Sequence, residues 1–246
     1  MPAKTKKTPA AKKSVAKPAK TSTPKPAVPI LLPAEQFWIL RLTTAKEAFE
    51  GNDYRVYIAE SLEEAKELAL EKIIPALRPA AVTFAGSQTL IQAGLLTALR
   101  EQKKIPIMDT VDPAIPPDAM YELRRRALLA DLLITSVNAA TMDGRLILLD
   151  GLGNRTAAVQ FGPKNVLLLI SRNKLVDGVA DGIERTKAIA APMNAMRLSR
   201  KTPCAKTGEC MDCKSPERIC KAWTIMDKCT KKDRIHIILI NQDAGF

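Results

Sequence analysis

The sequence predicts an α/β protein, a three-layer sandwich around a largely parallel sheet. Three observations point there. Hydrophobic residues make up 46% of the 246-residue chain but aromatics only 4%, so Ala, Leu, Ile and Val must fill the core. Short apolar runs alternate with helical patterns of about ten to fifteen residues, the rhythm of βαβ units. "DLLITS" (131–136), "RLILLD" (145–150) and "VLLLIS" (166–171) are compact apolar runs, typical of strands buried on both faces.

The elements follow in order from Pro33. "AEQFWILRLTTAKEAFEGN" places Phe37, Leu40, Thr44 and Ala48 on one helical face, and Gly51-Asn52 is a natural stop. "YRVYIA" (54–59) alternates and is rich in β-branched and aromatic residues, so it reads as a strand. Ser61 with Glu64 forms a capping box that opens a helix ending at Pro75. "AAVTFA" is the next strand and Leu90–Gln102 the next helix. "IPIMD" is a short strand, and a helix follows Pro116-Pro117 through "DAMYELRRRALLA". After the three apolar strands, "VDGVADGIERTKAIA" is helical and "RIHIILINQ" is the last strand.

Ahead of these elements lies a tail, residues 1–32, of Lys, Pro, Ala and Thr. It has too little apolar surface to offset the entropy of ordering and is expected to be disordered. Eight lysines and no acid fall in residues 1–26, so the net charge of +12 leaves 30 basic against 26 acidic side chains in the remainder. The body is therefore only mildly basic. The tail is suited to weak, non-specific binding of polyanions or simply to solubility. No apolar run approaches the roughly 20 residues that span a membrane, and no secretory leader is visible, so the expected location is cytoplasmic.

Within 33–246, the stretch "TFAGSQTLIQAG" (83–94) runs from strand to helix. In an open parallel sheet, ligands gather beyond the carboxyl ends of strands. Gly86 would let backbone approach a ligand, and Ser87 and Thr89 add hydroxyls beside free helix amides. Ser87 could equally be a helix cap and nothing more. There is no Gly-x-Gly-x-x-Gly and no P-loop lysine, so neither nucleotide fingerprint applies. Further polar groups recur after later strands: Asn138, Asp143, Asp150, Gly151, Gly153, Asn154, Arg155, Asn173 and Lys174. Turn chemistry accounts for some of them, and Asp143-Gly144 reads as a hairpin turn rather than a catalytic acid. Asn154-Arg155, a helix start beside a guanidinium, is suited to a carboxylate or phosphate.

"LLADLLITSVNAATMDGRLILLDGLGNRTAAVQFGPKNVLLLISRNKLV", with "GSQTL", "AAPMNAMRL" and "TPCAKTGECMDCKSPERIC", resembles the lactate-utilisation (LUD) domain family over roughly residues 33–246. The resemblance implies the fold shared by ribose-5-phosphate isomerase, glucosamine-6-phosphate deaminase and coenzyme A transferases. It also implies relatives that oxidise L-lactate to pyruvate alongside iron–sulfur partner proteins. The chain departs from the family pattern at Ala85, where Gly is favoured, at Gln92 (Glu), at Met142 (an acid) and at Leu148 (Asn). Two carboxylates and an amide are thus missing.

All five cysteines fall within Cys204–Cys229. Cys204, Cys210, Cys213 and Cys220, in a segment (202–229) expected as an insertion before the last strand, could close a thiolate site for zinc or an iron–sulfur cluster. Buried free thiols or a redox pair are the alternatives, and Cys229 lies outside the spacing. His236, the only histidine, sits in an alternating strand and reads as structural. Two functions remain. One is a protein that binds a small anionic metabolite, accessory to lactate or related carbon oxidation, with turnover undecided and oligomerisation left open. The other is a non-catalytic interaction module tethered to nucleic acid or polyphosphate by the tail.

Overall fold

The computed structural model describes residues 1–3, 5 and 32–246. The expectation about the lysine-rich tail lies outside these residues. From Pro33 onward the chain forms one unit.

The first half alternates helix and strand: α1 (Pro33–Gly51), β1 (Arg55–Ala59), α2 (Leu62–Glu67), α3 (Ile74–Leu77), β2 (Val82–Phe84), α4 (Gln88–Gln92), α5 (Leu95–Gln102) and β3 (Ile107–Met108). Next come α6 (Pro117–Ala127), β4 (Leu132–Thr135), β5 (Ala139–Thr141), β6 (Leu146–Asp150), α7 (Asn154–Gln160), β7 (Asn165–Ser171) and β8 (Leu175–Val176). The chain closes with α8 (Val179–Arg185), α9 (Ala191–Arg197), α10 (Pro203–Thr207), β9 (Ala222–Met226) and β10 (Ile235–Ile240).

Six strands form one sheet in the order β1-β10-β7-β4-β2-β3, and every pairing in it is parallel. Successive residues of its central strands enter opposite cores. On β7, Val166, Leu168 and Ile170 join the core shared with α1 and α7, while Leu167 and Leu169 join the core under α2 to α5. On β10, Ile237 and Leu239 face the first core and Ile238 and Ile240 the second. Fully burying one such side chain is worth roughly 1.5–3 kcal/mol, so the uninterrupted aliphatic strands are the fold's main source of stability.

A second, four-stranded sheet, β8-β5-β6-β9, stands apart from the parallel one and contributes Ala140, Leu146, Leu148, Leu175 and Met226 to the core shared with α1 and α7. β5 and β6 form an antiparallel hairpin across Asp143-Gly144, as the turn chemistry expects. β6 then pairs antiparallel with β9, so "RLILLD" is not a strand of the parallel sheet. An aliphatic run does not say which sheet it joins. The cysteine segment is likewise more than an insertion, because it carries β9.

Three local expectations change. α1 buries Leu42, Ala45 and Phe49, whereas Phe37 and Leu40 are exposed, so the inward face is rotated from the one the pattern suggested. The helix opened by Ser61 passes through Pro75. It does so after a π-helical stretch, Leu68–Ile73, whose wider turn accommodates a residue that cannot donate. The same device recurs at Thr186–Ala190, just ahead of Pro192. The helix expected over 90–102 is two helices, broken where Gly94 takes φ +68°. No helix among the described residues is long and apolar enough to cross a membrane.

Candidate functional site

Polar side chains delivered by the carboxyl ends of β2, β4 and β7 meet in one cleft of about 610 Å3. Gly86 and Ser87 follow β2, Ser136 and Asn138 follow β4, and Lys174 follows β7. Asp150, Gly151, Asn154 and Arg155 enter from the turn between β6 and α7. The loop at Gly86 and the segment around Asn154 therefore face a common space.

Other residues singled out from the sequence do not line that cleft. Thr89 is fully buried and accepts a hydrogen bond from Lys174 Nζ at 2.8 Å. Asp143 lies on the β5–β6 turn, where it accepts from Thr141 Oγ1 and pairs with Arg145 at 3.0 Å. Gly153, at φ +85°, is the residue that starts α7. Asn173 accepts from the Ala244 amide at 3.2 Å and so holds the C-terminal segment. Ser87 lines the cleft, yet its hydroxyl accepts from the Leu90 amide at 3.3 Å and caps α4.

The floor is cationic. Lys174, only 3% exposed, donates to Thr89 Oγ1 and, at 2.9 Å, to Ser136 Oγ. Burial, followed by the Arg185 and Arg155 charges, pushes the Lys174 amine down to about 7. Arg155 donates to Asn138 Oδ1 and Leu149 O, each at 2.8 Å. Its Nε is buried without a hydrogen-bond partner, the nearest carboxylate oxygen being Asp150 Oδ1 at 3.6 Å. Arg185 donates to the carbonyls of Asn173 and Asn138 at 2.8 and 2.6 Å, and burial lowers its guanidinium to about 10. Among the described residues, no ion pair is formed by Lys174 or Arg185, and Asp150 is the carboxylate paired with Arg155. Its other oxygen is occupied by the Arg155 and Thr156 amides at the start of α7.

The mouth repeats that imbalance. Seven basic side chains line the cleft as a whole, against the two acids Asp150 and Glu217. Arg124 comes from α6 and Arg197 from α9, while Arg200, Arg218 and Lys221 come from the chain beyond α9. Sequence reasoning did not assign these or Arg185 to the cleft, because cations on helices or on the coil beyond α9 carry no strand-end signal. It also missed Ser136, read only as the last residue of a strand.

The departures from the family pattern fall in varied places. Leu148 is fully buried in the core, so its side chain contributes packing and no cleft chemistry. Met142 packs half-buried against the same core, and Gln92 accepts from the Gly245 amide at 2.8 Å. His236 is buried against Tyr57, with ring centroids 6.3 Å apart. Burial, then Arg55, lowers its pKa.

Cys204, Cys210, Cys213 and Cys220 ring a second, smaller cavity of about 30 Å3, and none is in a disulfide. Burial, then the neighbouring Cys210, pushes the Cys220 thiol up to about 11 despite the nearby Arg218. As they stand, no three His, Cys, Asp or Glu side chains among the described residues are close enough to hold an ion. Cys229 is separate and buried, its Sγ donating to Lys231 O at 3.0 Å.

A family model described as LUD domain matches residues 42–240. No curated protein matches. Among solved structures, the chain is similar to a DUF162 family protein from Deinococcus radiodurans. They share 14% identity and a TM-score of 0.44, over 84% of this chain and 97% of that one. It is also similar to eIF2B delta from Chaetomium thermophilum. Here identity is 16% and the TM-score 0.25, over 58% of this chain and 50% of that one.

Proposed function

The chain belongs to the LUD domain family, and from that premise we propose that it binds a small anionic metabolite in the strand-end cleft, in a role associated with lactate or related carbon oxidation. One observation carries this reading: the buried Lys174 and Arg185 and the largely covered Arg155 are neighbours, and the one ion pair that any of them forms among the described residues is the long contact of Arg155 with Asp150 at 3.6 Å. Buried charges of one sign are unfavourable unless paired, and a carboxylate or phosphate supplies the missing negative charge. Arg155 and Lys174 offer donors of the two kinds that such anions use, a planar fork and a point charge.

The cleft has the parts for holding a hydroxy- or keto-acid and moving a proton at it. With the site empty, the Lys174 amine titrates at about 7 and donates to Ser136 Oγ, the arrangement that a proton carrier near neutral pH needs. An arriving anion favours the ammonium form, so binding takes up a proton above pH 7. The empty site loses its lysine charge as pH rises through about 7, and anion affinity declines over the same range.

Calorimetric titration with L-lactate, pyruvate, phosphate and the neutral lactamide tests the reading. The expected result is saturable binding of at least one anion and none of lactamide, with Lys174→Met weakening the anion about tenfold or more. Equal binding of lactamide and lactate, or an affinity indifferent to Lys174→Met, would sink it.

A further inference from the structure

We propose that Cys204, Cys210, Cys213 and Cys220 form a tetrathiolate metal centre, zinc or an iron–sulfur cluster, in the wall of the anion cleft. The four side chains come from two stretches of chain. Cys204 lies on the short helix α10, closed by Gly208 at φ +81°, whose amide donates to Cys204 O at 3.0 Å. The other three lie on the coil between Gly208 and β9. All four nonetheless border one small cavity.

The coil is braced around that cavity by a single guanidinium. Arg218 donates to Cys220 O at 2.6 Å, to Cys213 O at 2.7 Å and to Asp212 Oδ1 at 3.0 Å. It thereby holds the two turns that carry Cys213 and Cys220. Apolar residues including Leu149, Pro192 and Trp223 complete the cavity, with Lys187 and Arg218 as its cations and Asp212, paired with Arg218, as its acid. Four thiolates around a divalent ion carry two net negative charges, which Lys187 and Arg218 offset in part, given that pairing. Because 209–221 has neither helix nor strand, its sulfurs can draw in on a metal without unravelling an element.

Loading a divalent ion is redox-neutral. Four S–H bonds break, four metal–sulfur bonds form, and the protons leave to solvent. The site is also placed to matter. Arg218, Ile219 and Cys220 line both cavities, and the Lys221 amide donates to Asp150 O at 2.9 Å. A metal here would fix the wall that brings Arg218 and Lys221 to the cleft. The inference stands whether or not the cleft binds an anion.

The full chain, purified anaerobically under reducing conditions, is assayed for zinc, iron and acid-labile sulfide. About one metal centre per chain is expected. Colourless protein with zinc identifies an ion, whereas brown protein with iron and sulfide identifies a cluster, and either supports the proposal. Cys213→Ser and Cys220→Ser should each lose tenfold or more of the bound metal, and Cys229→Ser should keep it. A cobalt(II) titration of the unmutated chain guards against variants that fail to fold, since a tetrathiolate site gives strong visible bands. The proposal is overturned if no metal is bound as purified or after zinc or iron–sulfide reconstitution. It is equally overturned if Cys213→Ser and Cys220→Ser retain metal.

Discussion

Lys174 concentrates the account at the scale of a single residue. An amine that is 3% exposed, bonded to two hydroxyls and facing two arginines, is held where its charge is least welcome. Its value is about 7, against 10.5 for a free lysine. Between those values the unfolded chain holds a proton that the empty folded protein lacks, so stability rises with pH through that window. Below about 7 both states are protonated and the full penalty of burying the charge applies. The slope of that rise approaches ~1.4 kcal/mol per pH unit. Lys174→Met should remove the slope and raise stability most at pH 6, as measured by urea unfolding at pH 6 and 9. A wild-type stability that falls between pH 7 and 9, with this lysine responsible, would contradict the account. Sequence position alone marked Lys174 as a polar residue after a strand. Its depressed basicity comes first from burial and then from Arg185, eleven residues on and brought back by α8, and no local pattern reveals either.

At the scale of elements, turns with little freedom hold the site's parts in register. Gly144, at φ +85°, turns the β5–β6 hairpin with the backbone of Ala48 packed on it. A Cβ there would meet the Ala48 carbonyl at 2.8 Å. Gly144→Ala should therefore destabilise the fold by about 1–3 kcal/mol. Gly86 is the contrast, since a Cβ there would meet nothing within 4 Å. Gly86→Ala should leave the melting temperature unchanged while weakening anion binding, if a ligand approaches that backbone. Differential scanning calorimetry and anion titration of both variants separate the two glycines, and equal melting temperatures would refute the packing argument. The strands of the parallel sheet were legible because two buried faces demand unbroken aliphatic runs. The second sheet was not. β5 is three residues long, β9 is hidden among cysteines, and β6 reads like any doubly buried strand. Helix faces were legible only in part, as the exposed Phe37 and Leu40 of α1 show.

At the scale of the molecule, a parallel sheet sets its strand ends on one side, and turns and helices bring cations to meet them there. The net positive charge outside the first 26 residues is small, yet the cleft gathers seven basic side chains against two acids. That uneven distribution is what makes an anion the ligand class of choice. The most direct measurement is anomalous scattering from crystals of the full chain soaked in selenate. The account predicts a selenium peak in the cleft, within hydrogen-bonding reach of Lys174 Nζ and the Arg155 guanidinium. Peaks confined to the outer surface, with the Lys174 amine still bonded only to Thr89 and Ser136, would contradict it.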